Sequence, residues 1–547
     1  WGGVGSGRGA GGAGLQFAAV RPEGRRRRRT QGNIVTDFDP IASSTTKVAD
    51  HREPAFVHDA DRAEAARRLG AFTDRHGTKR PNVLVVLMDD VGWGDFGCYG
   101  GGVAVGAATP NIDALAARGL RLTSAYSEPS CTPSRATLLT GRLPMRHGLQ
   151  RPPMYGEGGG LEGEVTLAEL LSAQGYVTQA VGKWHLGENE QSQPQHVGFD
   201  DFYGFLSVSD MYTEWRDPYF FPEIVYNRAR TDWVENQPFN TCFVHAARGG
   251  ELENVEEVTI PVLSELDEKW CTYSEEFIAR MAGDDKPWFL YHNTRGAHFD
   301  NYPHESFLGT SPARHPYKDT IVELDAIVGR LVATLEETGQ LDDTIIVVTS
   351  DNGPEMETWP DAAYTPFRCA KGSTWEGGVR VPLVVAWPGM IDPAQVSDGI
   401  FDFNDVLPTM LALAGAGDAV PSDRFIDGID QTSFLLSPGG RSNRKYHYYW
   451  LGQSFSALRC GEYKFMLTSV SDGPEASADV HGPGGFSGVF QKYPYGRLYN
   501  LYLDPKETHS YMIRKLAYQD ALVGQVVRHM KTFAPPYQPK LIMGINV

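Results

Sequence analysis

The segment Ser130-Cys131-Thr132-Pro133-Ser134-Arg135-Ala136-Thr137-Leu138-Leu139-Thr140-Gly141-Arg142 holds the residues whose types and spacing point most directly to chemistry. Proline is favoured at the first position of a helix and glycine just beyond its last, so Pro133 and Gly141 bracket a short helix. Cys131 then lies at the helix N-terminus, where free N–H groups and the helix dipole favour negative charge. Arg135, four residues on, projects near Cys131 and adds a fixed positive charge. A cysteine in this setting is either a reactive group at an anion site or an inert buried residue ahead of a helix. The residues alone leave both readings open.

Two acidic groups follow apolar runs. Asp89-Asp90 ends the run Val83 to Met88, and Asp351-Asn352-Gly353 follows the run Thr344 to Thr349. Three carboxylates and an amide oxygen form a hard, all-oxygen donor set suited to Ca²⁺ or Mg²⁺ rather than zinc. Taken singly, the first pair reads as a solvated turn and the second as an Asx turn. Taken together, two such strand ends favour a metal. Lys183 and His185 close a third strand, and His298 follows a fourth within a loop. Open parallel sheets place ligands at the carboxyl ends of their strands, so one sheet edge can gather all of these groups.

The elements that must position them can be read along the chain. Val83 to Met88 and Thr344 to Thr349 are continuous apolar runs, as in strands buried on both faces of a parallel sheet. Tyr176 to Val181, Trp288 to Tyr291 and Val381 to Trp387 read as further strands. Thr109-Pro110 opens a helix that Gly119 closes, and Thr166-Leu167-Ala168-Glu169 is a capping box for a helix ending at Gly175. Ile321, Leu324, Ile327, Val328, Leu331 and Leu335 form the apolar stripe of a long helix. Strands alternating with helices predict an α/β fold, a large, mostly parallel sheet sandwiched by helices. After about residue 440 the texture changes. Short aromatic strands (446–449, 456–459, 463–467) and a last helix over 518–532 predict a smaller antiparallel α+β subdomain. The expected organisation is therefore a weakly ordered tail over 1–78, with an isolated helix at 59–72, a catalytic domain over 79–440, and the small-sheet subdomain over 441–547.

The totals exclude some classes. The chain has 547 residues, 41% hydrophobic and 22% charged, with a net charge of −18. That balance argues against nucleic acid as the main partner, because phosphate contacts need clustered Lys and Arg. Arg25 to Arg29 is such a run, but within Gly-rich and polar sequence it reads as a solvated segment. No apolar stretch approaches the length of a membrane span. Six cysteines without a C-x-x-C pair make a disulfide scaffold or zinc site a poor reading, although a Cys242–Cys271 bridge stays open. The first methionine is Met88, so the expectation is a sequence that starts inside a longer product or after processing. There is no N-x-Ser/Thr sequon, and the compartment is not legible.

The pattern C-x-P-S-R-x-x-x-L-T-G-R, carried by Cys131, Pro133, Ser134, Arg135, Leu139, Thr140, Gly141 and Arg142, resembles the signature of the type I sulfatases. A second block, Gly175-Tyr176-x-Thr178-x-x-x-Gly182-Lys183-Trp184-His185, resembles that family's other signature. The resemblance runs from about Pro81 to Leu501-Tyr502-Leu503-Asp504-Pro505. It implies an alkaline phosphatase-like fold and a formylglycine made from Cys131 by a formylglycine-generating enzyme. It also implies one divalent metal, calcium with magnesium as the alternative, held by Asp89, Asp90, Asp351, Asn352 and the side chain at 131. Lys183, His185 and Lys371 would contact the sulfate, with Arg135 stabilising charge. His298 is the transferred histidine after the fourth strand, where the family usually has a His-x-Pro-His-like context. Here the segment is His292-Asn293-Thr294-Arg295-Gly296-Ala297-His298, and His292 competes for the role. His147 lies just beyond the first signature and reads only as a supporting residue.

The implied chemistry explains why the cysteine must be altered. A thiolate attacking sulfur would leave a stable S–S linked sulfate. A formylglycine hydrate instead attacks through one hydroxyl and releases sulfate when the second is deprotonated. His298 or Lys371 would protonate the departing alcohol, and His185 is the better base for release. The rivals are a phosphate or phosphonate ester hydrolase of the same superfamily and a catalytically silent sulfoglycan-binding protein. The substrate, a sulfated small molecule or carbohydrate, is not legible, nor is the oligomeric state. The stretch 204–275 reads as a variable insertion whose aromatics (Phe205, Tyr212, Trp215, Tyr219, Phe220, Phe221, Tyr226 and Trp233) either stack on a ring of the substrate or fill the core.

Overall fold

The computed structural model describes residues 49–153, 158–209, 212, 241–358, 361–471, 485–486 and 488–533. The large sheet is built from β1 (Asn82–Met88), β2 (Leu120–Tyr126), β3 (Val177–Lys183), β4 (Asp201–Phe205), β5 (Cys242–Ala247), β6 (Glu253–Glu257), β7 (Trp288–Asn293), β8 (Thr344–Ser350), β9 (Arg380–Ala386), β10 (Gln395–Ser397) and β11 (Phe401–Asp402). Their order is β10-β2-β9-β8-β1-β7-β3-β4-β5-β6, with β11 also paired to β2. The central run β8-β1-β7-β3-β4 is parallel. Antiparallel pairings flank it, β9 against β8 and β2 on one side, β5 against β4 and β6 on the other.

Strand β1 shows why the centre is where it is. All seven of its residues are buried. Val83, Val85 and Leu87 join one core, while Leu84, Val86 and Met88 join the other. The first core includes Ala136, Leu138 and Leu139 of the helix Cys131–Thr140. The second includes Leu266, Trp270, Ile321 and Leu324 from the helices Leu266–Met281 and Pro316–Glu337. A strand apolar on both faces is stable only between two such layers, each buried side chain contributing about 1.5–3 kcal/mol.

A second sheet of four strands, β12 (Tyr446–Leu451), β13 (Ser454–Cys460), β14 (Tyr463–Ser471) and β15 (Val489–Asn500), is antiparallel throughout. It packs on the large sheet through Tyr449, Ala457, Met466 and Tyr499 against Tyr126, Trp375 and Val379. The buried Lys464 ammonium on β14 donates to the Thr374 carbonyl (2.7 Å) and Glu376 (3.1 Å) and pairs with Glu507 (2.8 Å). An ammonium taken fully out of water needs such a complete set of acceptors. The last helix among the described residues is Leu516–Met530.

Some elements differ from the sequence reading. The strand β2 was not anticipated, and β9 runs antiparallel where alternation with helices predicted parallel strands. The helix bearing Cys131 begins at Cys131 itself, with Ser130 as N-cap, two residues ahead of the expected start. Residues 49–78, expected in the weakly ordered tail, are built into the fold. The helix Asp59–His76 buries Ala65 and Phe72, and the Phe72 ring packs edge-on to Trp387 at 5.2 Å. Its apolar stripe is too sparse to advertise a partner. The tail's Gly-rich and arginine-rich part, residues 1–48, lies outside the described residues. All six cysteines are free, so the Cys242–Cys271 bridge is not formed. Among the described residues no helix is long and apolar enough to cross a membrane.

Candidate active site

The site forms where the parallel strands end. β1 and β8 pair in register to Met88 and Ser350, so Asp89 and Asp351 leave the sheet side by side. The Asp351 amide donates to the Met88 carbonyl (3.0 Å), and the Asp90 amide donates to Asp351 Oδ1 (3.2 Å). Asp90 has a left-handed backbone (φ 59°), an uncommon conformation that turns consecutive carboxylates toward one point. The carboxylates of Asp89, Asp90 and Asp351 are all buried, with one oxygen from each within 4.8 Å of the others. The Asn352 amide nitrogen donates to Asp90 Oδ1 (2.6 Å).

Cations surround this trio. Lys183 Nζ donates to Asp89 Oδ2 (2.5 Å), Lys371 Nζ donates to Asp90 Oδ2 (2.8 Å), and Arg135 Nε donates to Asp351 Oδ2 (2.9 Å). Arg135 therefore does not face Cys131 alone, as its place one turn along the helix suggested. Its other bonds go to the Lys183 carbonyl (2.9 Å) and the Asn293 side-chain oxygen (3.1 Å). Burial by itself would raise the Asp89 pKa, but Lys183, His298 and Arg135 outweigh it and hold that carboxyl well below the usual range. Burial, then the neighbouring Asp89 charge, pushes Asp351 the other way. Two buried carboxylates so close cannot ionise independently.

Cys131 is buried close to the same charged groups. Its Sγ lies 3.3 Å from His185 Nδ1, and the hydroxyl of Thr132 donates to the His185 carbonyl (2.7 Å). His185 is also left-handed (φ 60°). Burial raises the Cys131 thiol, and Lys183 and Lys371 offset that only in part. An unmodified cysteine here is a protonated thiol and a poor nucleophile. Burial, then Lys183 and Arg135, holds the His185 imidazole well below its ordinary value, so the ring is neutral beside the thiol.

His298 closes the rim. Its Nε2 is 3.8 Å from Asp90 Oδ2, and its Nδ1 contacts the Phe299 carbonyl at 2.8 Å. His292 points elsewhere, to the Ser274 hydroxyl (2.8 Å) on the helix Leu266–Met281. His147 meets Thr137 on the helix behind the pocket (3.3 Å). Lys371 is held by its amide bond to the Pro354 carbonyl (2.9 Å), and the next amide, Gly372, donates to Pro129 (2.7 Å). Of the insertion aromatics, Phe205 and Tyr212 are core residues, whereas Trp215, Tyr219, Phe220, Phe221, Tyr226 and Trp233 lie outside the described residues.

The donor set fits a hard dication. Among the described residues, Asp89 Oδ1 and Asn352 Oδ1 are buried oxygens without a hydrogen-bond partner, and His185 Nε2 is a buried nitrogen in the same state. Orphaned acceptors beside three carboxylates are costly unless a cation satisfies them. Sequence reasoning missed Asn293, which ends β7 and bridges Arg135 to the Val181 carbonyl (3.3 Å). An amide two residues past the apolar run Trp288 to Tyr291 was the available signal.

The comparisons agree with this geometry. A family model described as Sulfatase matches residues 81–416, and a second, for the AslA-type sulfatase C-terminal domain, matches residues 456–534. The chain is 34% identical over 492 residues to N-acetylgalactosamine-6-sulfatase of Canis lupus familiaris, covering 84% of this chain and 88% of that protein. It is 35% identical over 443 residues to arylsulfatase A of Homo sapiens, covering 79% and 83%. The crystal structure of PsFucS1 sulfatase from Pseudoalteromonas sp. superposes with a TM-score of 0.83 at 39% identity, covering 90% of this chain and 99% of that one. Ps i-CgsB, solved with k-i-k-neocarrahexaose, gives 0.67 at 25% identity, covering 84% and 94%. The large sheet with its helices and separate four-stranded sheet is the alkaline phosphatase-like fold of these neighbours. The chain belongs to the type I sulfatase family and is a sulfuric ester hydrolase.

Proposed function

We propose that the chain hydrolyses sulfate esters of carbohydrates through a formylglycine at position 131 and one divalent cation, calcium in preference to magnesium. The observation that carries this reading is one strand-end pocket that gathers three buried carboxylates, Lys183, Lys371 and the helix start at Cys131. Asp89, Asp90, Asp351, the Asn352 oxygen and the modified side chain at 131 would hold the cation. When bound, the cation supplies Lewis acidity toward the sulfuryl oxygens and the nucleophile. Formylglycine, made from Cys131 by a formylglycine-generating enzyme, supplies a hydrated aldehyde with one hydroxyl for attack and one for release.

The chain's own residues do the rest. Lys183 and Lys371 present ammonium groups to the equatorial oxygens of the sulfate, and Arg135 fixes the charge between Asp351 and the end of β3. His185, neutral and 3.3 Å from the side chain at 131, accepts the proton in the release step. The Phe299 carbonyl takes the Nδ1–H of His298, so Nε2 is the nitrogen that exchanges a proton; the ring gives one to the departing alcohol only as the imidazolium, and Lys371 is the other donor. A carbohydrate substrate is supported by the names of the relatives, one an N-acetylgalactosamine-6-sulfatase and one solved with k-i-k-neocarrahexaose.

Mass analysis of the Cys131 peptide from natively produced protein, beside kcat/KM on paired aryl sulfate and aryl phosphate esters, tests the reading. A formylglycine and a preference for sulfate are expected. An unmodified thiol or a preference for phosphate overturns it.

A further inference from the structure

We infer that Asp267 and Arg295, which lie outside both signature segments, are the positioning pair that aims His298 at the leaving group. This rests on the role given to His298 above. Asp267 is the second residue of the helix Leu266–Met281, and both of its carboxylate oxygens are spent on one loop. Oδ1 accepts from the Arg295 amide (2.8 Å) and Oδ2 from the Gly296 amide (2.9 Å). The Arg295 guanidinium then reaches across the same loop. One terminal nitrogen donates to the Asp300 carbonyl (3.3 Å) and the other to the Tyr302 carbonyl (3.0 Å), while its Nε lies 3.8 Å from Asp267 Oδ2. Arg295 and Asp267 are 1% and 2% exposed, so these contacts are not shared with water.

The result is a loop from Arg295 to Tyr302 tied at its throat, with His298 between the ties. From the other side the Ala297 amide donates to the Asp89 carbonyl (2.9 Å), so the same segment is anchored to the strand end that carries the acidic trio. The planar fork of arginine reaches two carbonyls two residues apart, whereas an ammonium on a flexible stem serves only one at a time. An uncompensated Asp267 carboxylate would be costly at this depth. The loop has no regular secondary structure to hold it, so these bonds, together with the Asn301 amide and side chain donating to Asp361 (2.8 and 3.0 Å), set the imidazole's position over Asp90.

The test measures kcat/KM for two sulfate esters, an aryl ester whose leaving group needs no proton and an alkyl ester whose leaving group does. Variants are His298→Ala, Arg295→Met, Arg295→Lys, Asp267→Asn and the double variant His298→Ala/Arg295→Met, with thermal midpoints recorded for each. His298→Ala should lose about tenfold or more on the alkyl ester beyond its loss on the aryl ester. Arg295→Met should show the same bias, and the double variant should be no worse than His298→Ala, because the arginine acts through the histidine. Should Arg295→Met unfold, Arg295→Lys and Asp267→Asn must show the bias in milder form. Equal losses on both esters in the Arg295 and Asp267 variants, or losses that multiply in the double variant, overturn the pair. A His298→Ala variant without bias instead removes the role of His298, and the pair falls with it, while turnover by the unaltered protein still reports the sulfatase reading separately.

Discussion

The Sγ of Cys131 lies 3.3 Å from Nδ1 of His185, a residue 54 positions away, and both side chains are buried. The contact joins a helix start to a strand end. It sets a neutral imidazole against the group at position 131, with Lys183 and Lys371, the carboxylates' counter-cations, also acting on that group. His185→Ala should therefore slow release of sulfate more than the attack that precedes it. Pre-steady-state kinetics with a good aryl leaving group should show a burst of alcohol followed by a slow steady state, whereas a variant without a burst would place His185 in another step.

Removal of divalent metal should abolish turnover and lower the thermal midpoint, because the buried carboxylates and the orphaned Asp89 and Asn352 oxygens then lack their cation. A ligand held only by the folded state, at a hundred times its Kd, stabilises it by about 2.7 kcal/mol. Calorimetry after chelation, with calcium or magnesium added back, checks both the loss and the preference.

Lys183→Ala should lose at least about a hundredfold in kcat/KM, the usual scale for removing a preorganised charge from a buried anion site. It should also change metal affinity, since Lys183 is the 2.5 Å partner of Asp89. Metal titration separates the two effects from loss of sulfate contact, which inhibition by inorganic sulfate reads directly.

Gly182→Ala should unfold or cripple the enzyme although no catalytic atom is touched. Gly182 has φ 90°, and a Cβ there would fall 1.7 Å from the Asn293 carbonyl oxygen. Strain and clash together should cost more than about 2 kcal/mol. Chemical denaturation measures the cost. Any surviving protein should be weaker in activity, because Asn293 holds Arg135.

Stability should carry a pH signature from Glu53, which is none of the candidate site residues. Burial, only partly offset by Arg444, pushes its carboxyl up to about 7, and Tyr448 donates to it at 2.9 Å. The folded state thus binds this proton more tightly than the unfolded state, whose group titrates near 4.5. The stabilising contribution is full below that value and is lost as pH rises toward 7, by roughly 3 kcal/mol. Glu53→Gln should flatten the fall in unfolding free energy between pH 5 and 7 by about 2 kcal/mol, the part of that loss which falls in this window. An unchanged slope would assign it to other buried acids.

Much of the fold was legible because its centre obeys local rules. Val83 to Met88 and Thr344 to Thr349 are apolar at every position, which only burial on both faces explains, and Thr166 caps its helix through the Glu169 amide (3.1 Å) as its spacing predicts. The sheet's flanks were not legible. Leu120–Tyr126 mixes Arg, Thr and Ser with apolar residues, and after Arg380 the strand β9 is apolar at every position from Val381 to Ala386, whichever way it runs. Strand direction is a property of the pairing and not of the residues.

The site divides along the same line. The identities of the chemical groups, Asp89-Asp90, Asp351-Asn352, Lys183, His185 and Cys131, follow from residue types at strand and helix ends. Their grouping does not, because the contacts span from 54 residues, between Cys131 and His185, to 281, between Asp90 and Lys371. Sequence alone determined which atoms are available to bind a cation and a tetrahedral anion. Only the tertiary structure decided that His298 and not His292 faces Asp90, that Arg135 is spent on Asp351, and that Asp267 and Arg295 tie the loop. Each of those choices depends on which side chains become neighbours once the sheet excludes water, and buried charges must find partners there whatever their distance along the chain.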